Sequence, residues 1–206
     1  MIAILQHVNS IRSTLAIEIA VVMSFGLLSV LAYYTAPRTT AFMITLALVS
    51  FLPLTLGVLA VSGTANLDTP EIVAASVMGL KGELIKRFVV LLANSIVLVV
   101  VLYFSLSLSS GWPRDRGIDT LIQFSSGVVI IALSGMFAML LGSTPRVAIL
   151  TVVIVWIGLT FLIDPYFQSF IIARLIPLSI LLCLSVAAFR RVEDGKILMA
   201  MEEQGK

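Results

Sequence analysis

Six apolar stretches, each near bilayer length, dominate this chain: residues 15–34, 41–61, 88–108, 121–141, 147–163 and 170–189. A helix needs about 20 apolar residues to cross the hydrocarbon core. Of the 206 residues, 60% are hydrophobic and 12% charged. A soluble domain is about 25% charged and needs that polar cover for its surface. The expected fold is therefore an all-α membrane protein of six transmembrane helices, one transmembrane domain over residues 1–206, in the inner or plasma membrane. The first run exceeds the 7–15 apolar residues, roughly, of a signal-peptide core and reads as a retained span. Pro53 and Pro177 fall inside the second and sixth runs. Neighbouring helices can satisfy the backbone groups they free, with a kink expected at Pro53.

Lysine and arginine set the orientation. With the N-terminus inside, the cytoplasmic segments hold Arg12, Lys81, Lys86, Arg87, Arg146, Arg190, Arg191, Lys196 and Lys206. The outer segments hold Arg38, Arg114 and Arg116, and Arg174 begins the last span. Both termini are expected in the cytoplasm, residues 190–206 forming a cytoplasmic tail. Tyr33, Tyr34, Tyr103, Trp112 and Tyr166 then fall near the outer interface, which suits amphipathic aromatics.

Two segments are neither spans nor plain loops. Residues 1–13 place Ile4, Val8 and Ile11 at helical spacing, as in an interfacial amphipathic helix or an extension of the first span. Residues 62–87 form a connection far longer than the roughly 2–8 residues usual between helices. There Asp68, Pro70 and Glu71 suit a helix start, and Val73, Val77, Leu80 and Leu84 fall on one face. A short helix is expected, then a bend between Gly79 and Gly82 into the third span.

Catalytic signatures are missing. The sequence has no phosphate-cradling glycine loop ending in Lys-Ser/Thr, no HExxH and no CxxC. The single histidine, His7, lies outside every span, and a facing pair of intramembrane carboxylates is lacking. The chain is expected not to be an enzyme, to hold no metal or other cofactor, and, at a net charge of +2, not to bind nucleic acid. Cys183 reads as a small buried hydrophobe. Glu18 is the one carboxylate well inside a run. It either reaches the cytoplasmic interface, pairing with Arg12 or another basic group, or forms an intramembrane polar site. Arg174, a turn inside the last span, can snorkel. Small residues recur every four positions as Ala16, Ala20 and Ser24, and as Ser134, Ala138 and Gly142, a spacing that permits close helix contact within the chain or across a dimer.

The stretch from Glu71 through Ser76 to Glu83-Leu84 resembles the coupling segment of permease subunits of ATP-binding-cassette transporters, type-2 exporter class. Val77 stands where that family usually has proline, and Asp164-Pro165-Tyr166-Phe167-Gln168 is short for the family's re-entrant helices. The resemblance implies six spans with both ends inside, a cytoplasmic ATPase subunit that binds ATP and magnesium, and a second permease chain. It also implies that Asp68, Glu71, Val73, Ser76, Val77 and Glu83 couple the permease to the ATPase. Alternatives are an anchoring or assembly subunit of a larger complex, which suits the uniformly apolar spans, and a secondary transporter. Substrate and direction of transport are not legible.

Overall fold

The computed structural model describes residues 12–65, 79–109, 117–141, 144–163 and 170–191. These are almost entirely helical, and no strand occurs among them. The helices are α1 (Arg12–Thr35), α2 (Arg38–Ala65), α3 (Gly79–Ser109), α4 (Gly117–Leu140), α5 (Pro145–Ile157) and α6 (Phe170–Arg191). A π-helical turn, Gly158–Ile163, continues α5. The segments α1, α2, Gly82–Leu108 of α3 and Leu121–Leu140 of α4 are long and apolar enough to cross a membrane. Pro145–Phe161 is a shorter apolar helix.

Local chemistry explains the helix ends. Pro37 disfavours helix at Ala36, and its own carbonyl then accepts the Ala41 amide to begin α2. Thr144 caps α5: its backbone is extended, its side chain accepts from the Val147 amide, and Pro145 occupies the first turn. α3 runs from Gly79 through Gly82 without a break, against the expected bend. One glycine costs a helix only about 1 kcal/mol, and Leu84, Phe88 and Leu91 bury the face that follows. The expected helix ahead of Gly79, and residues 1–11 of the expected N-terminal helix over 1–13, lie outside the described residues.

Side-chain register fixes the helix directions. Gly63 near the end of α2 abuts Thr14 near the start of α1, so these two are antiparallel. Glu18 meets Asn94, and eight residues further along both helices Gly26 meets Leu102, so α1 and α3 are parallel. Gly57 meets Ile131 and Gly135 meets Val61, so α2 and α4 are parallel. α2 and α4 form the centre; α1 and α3 pack on one flank, α5 and α6 on the other. Glycine permits the closest approaches, as lipid-embedded bundles require.

Two apolar clusters fill the bundle. One joins Val61, Leu91, Ile131, Met136, Val152 and Trp156, and the other Val22, Leu56, Val99, Leu102 and Val128. The outer surface is also apolar: Leu27 is 70% and Leu108 82% exposed, as expected of residues facing acyl chains. Cys183 faces outward on α6, not into the core as expected, because α6 packs mainly on α4 and leaves most of its circumference open. Ser134 and Ala138 do serve close packing, whereas Ala16, Ala20 and Ser24 lie on the exposed side of α1.

Candidate functional site

The inward stripe of α1 is Thr14, Glu18, Val22, Ser29 and Ala32, a spacing of one or two helical turns that keeps one face toward α2 and α3. Glu18 is thereby fully buried. Asn94 Nδ2 donates to its Oε2 at 2.6 Å, and Ser95 Oγ donates to its Oε1 at 3.2 Å. The carboxyl is bonded to these two donors, whereas Arg12 is exposed. One turn earlier the three helices converge: a Cβ on Gly63 would lie 2.5 Å from Thr14 Cγ2 and 2.9 Å from Leu91 Cδ1. The carboxyl is thus held by two neutral donors at a three-helix contact. Among the described residues, no group of three His, Cys, Asp or Glu side chains could hold a metal ion.

A second polar site lies toward the opposite end of the bundle. Arg174 is 5% exposed, so it turns inward rather than snorkelling. It borders a cavity of about 210 Å³ together with Ser50, Gln123, Gly127, Trp156 and Thr160. Two backbone features shape this space. Pro53 cannot donate to the preceding turn. The π-helical turn after α5 widens the helix where Leu159 and Thr160 line the cavity; such turns recur at functional sites. Gly127 lies against the guanidinium at ordinary packing distance: a Cβ there would stand 3.7 Å from Arg174 Nη1 and 3.5 Å from Pro53 Cβ.

Trp156 ties these parts together. Its Nε1 donates to the Ser50 carbonyl at 3.1 Å, three residues before Pro53 in α2. Its ring packs 5.0 Å from that of Phe51 and 6.0 Å from that of Phe161. Trp156→Phe keeps much of the ring packing and removes the bond. It is expected to lower stability by about 1 kcal/mol, read as a fall in the thermal midpoint in detergent.

Of the residues the sequence singles out, Glu18 has a defined polar setting and Glu83 sits near the start of α3. Arg87 Nε donates to Glu83 Oε1 at 3.3 Å along that helix, with the Arg87 side chain 6% and the Glu83 side chain 18% exposed. Glu83 and Glu18 do not share a site. Asp68, Glu71, Val73, Ser76 and Val77 lie outside the described residues. Asn94 and Ser95 are partners the sequence reading does not name, although an amide in the middle of an apolar run is itself a signal. The same applies to Gln123. Comparison with protein-family models, curated proteins and solved structures finds no match to this chain.

Proposed function

We propose that the chain is the transmembrane permease subunit of an ATP-binding-cassette transporter. It crosses the membrane six times with both ends in the cytoplasm, pairs with a second permease chain, and moves its cargo outward on ATP hydrolysed by a separate ATPase. The observation that carries this reading is a grouping of basic residues. The helix directions bring the starts of α1, α3 and α5 and the end of α6 to one end of the bundle. Arg12, Lys86, Arg87, Arg146 and Arg190 lie near those termini, whereas Arg38 begins α2 at the other end. The positive-inside preference makes the basic end cytoplasmic. The connection between α2 and α3 leaves and re-joins the bundle at this same end, within reach of a cytoplasmic ATPase. The resemblance of Glu71 through Leu84 to a coupling segment gives that connection its role.

Tagged wild-type chain, extracted in mild detergent, is expected to bring with it an ATPase chain that hydrolyses ATP, while the isolated permease hydrolyses none. Val77→Asp is expected to leave the amount of permease in the membrane unchanged and to abolish recovery of the ATPase, since docking would bury an unpaired charge. Val73→Ala would weaken docking by about 1 kcal/mol or more. A fall in membrane level with Val77→Asp means that this face packs on the bundle or on lipid. Recovery of no ATPase with the wild-type chain removes the reading. In that case an anchoring subunit is favoured, because Glu18 is satisfied within the bundle as a static tie between helices would be.

A further inference from the structure

The cavity beside Arg174 has walls of two kinds. Phe124, Ile131 and Trp156 are buried apolar side chains, whereas Gln123 and Arg174 bring polar groups to the same space of about 210 Å³. Among the described residues that line it, Arg174 carries the only charge. The charged end of this side chain reaches the wall, not only its stem. Nη1 stands 3.7 Å from where a Cβ of Gly127 would lie, and Gly127 is itself a wall residue. Gln123 is one turn earlier on the same face of α4.

A buried arginine inside an apolar bundle is costly, and intramembrane charges of this kind mark sites that handle a charged or polar group. Arg174 has a further interaction within the chain. That does not exhaust it, since a guanidinium carries five donors in a planar fork that matches a carboxylate. Size limits the ligand. A cavity of about 150 Å³ admits benzene, whereas drug-sized ligands occupy about 300 Å³ or more. The space here therefore suits one six-membered ring bearing a carboxylate. Phe124 and Trp156 make two of the apolar walls aromatic, which favours a ring over an alkyl chain. The Trp156 wall is held in place, because its indole nitrogen donates to the Ser50 carbonyl at 3.1 Å.

We propose that this cavity binds a small aromatic carboxylate, with the carboxylate on the Arg174 guanidinium and the ring among Phe124, Ile131 and Trp156. The fork supplies two parallel N–H donors to the two carboxylate oxygens, and the water-poor setting strengthens both bonds. Binding needs neither an ATPase nor a particular orientation in the membrane, so failure here and failure of the transport reading are separate results.

The test uses the tryptophan in the wall. The chain has two tryptophans, Trp112 and Trp156. In the purified full-length Trp112→Phe chain, tryptophan emission comes from Trp156 alone, and a heavy atom bound in the cavity quenches it. The probes are 4-bromobenzoate and its neutral isostere 4-bromobenzamide. The benzoate is expected to quench saturably, with half-saturation at about tenfold lower concentration than the amide, the scale of one hydrogen bond to a charged group. Partition into detergent favours the neutral amide and would give the opposite order. Arg174→Gln should abolish the tenfold difference. Arg174→Lys keeps the charge and loses the fork, so it should weaken the benzoate several-fold; it decides the matter should Arg174→Gln not be recovered folded. Quenching by both probes without saturation, or with equal half-saturation, would overturn the proposal and leave Arg174 a structural residue only. So would an unchanged affinity for 4-bromobenzoate in whichever Arg174 variants fold.

Discussion

Replacing Gly135 by leucine is expected to eliminate folded protein, and even alanine there should be costly. A Cβ at Gly135 would lie 2.5 Å from Val61 Cγ2 and 2.7 Å from Val152 Cγ2. Both neighbours are β-branched and buried, one on α2 and one on α5, so neither has a free rotamer to retreat into. Overpacking of this kind costs about 1–3 kcal/mol for a small insertion and more for a large one. The helix propensity gained from Gly to Ala, about 1 kcal/mol, offsets only part of that. Gly135→Ala should therefore lower the unfolding midpoint measurably, and Gly135→Leu should leave no monodisperse peak in detergent. Val61→Ala is expected to rescue Gly135→Ala in part, because it removes the nearest offending atom. A coupling energy near zero in that double-mutant cycle would contradict the close contact. Gly158→Ala is the control. Gly158 has helical φ and ψ and nothing within 4 Å of an added Cβ, so the change should be neutral or slightly stabilising.

The contrast between Gly135 and Gly158 shows where sequence reading runs out. Each apolar run corresponds to a helix, because run length and continuity are properties of the sequence itself. The runs at 15–34 and 170–189 became Arg12–Thr35 and Phe170–Arg191. Which glycine meets another helix depends on rotation and register, and a composition stripe does not carry that information. Ala16, Ala20 and Ser24 have the spacing for close contact yet lie on the exposed side of α1, while Gly57, Gly63 and Gly135 mark the tight crossings. The Thr144-Pro145 start of α5 is a capping pair two residues ahead of the apolar run at 147, so the helix begins before its apolar stretch does. Arg174 and Cys183 went the other way from expectation. An arginine one turn inside a span can snorkel, but this one borders a cavity lined from α2, α4 and the end of α5; and α6, covered mainly on one side, turns its lone thiol outward. Both outcomes are set by helices distant in sequence.

Glu18 provides the second large effect, and its variants separate a structural tie from a working polar group. Glu18→Ala removes both acceptors and leaves Asn94 Nδ2 and the fully buried Ser95 hydroxyl without their partner. Interhelical hydrogen bonds within membranes average about 0.6 kcal/mol and reach about 1.7. Two such bonds, with the cavity left by a truncated buried side chain, give an expected loss of about 2–4 kcal/mol. The readout is the denaturation midpoint in detergent, together with the amount of chain in the membrane. Glu18→Gln is nearly isosteric. Its carbonyl still accepts from one donor, and its amide can donate to Ser95 Oγ, which accepts as readily as it donates. That variant should lose less than about 1 kcal/mol, because the contact at the Thr14, Gly63 and Leu91 crossing is unchanged. Transport then decides the role. If Glu18 only ties α1 to α3, Glu18→Gln keeps both stability and cargo movement, and Asn94→Leu lowers stability by about the value of one bond. If the carboxyl takes part in moving a polar or charged group, Glu18→Gln keeps stability and loses transport, since an amide neither ionises nor acts as a base near neutral pH. A chain that tolerated Glu18→Ala without loss of stability would show that neither hydrogen bond contributes, and the polar contact between α1 and α3 would have to be withdrawn.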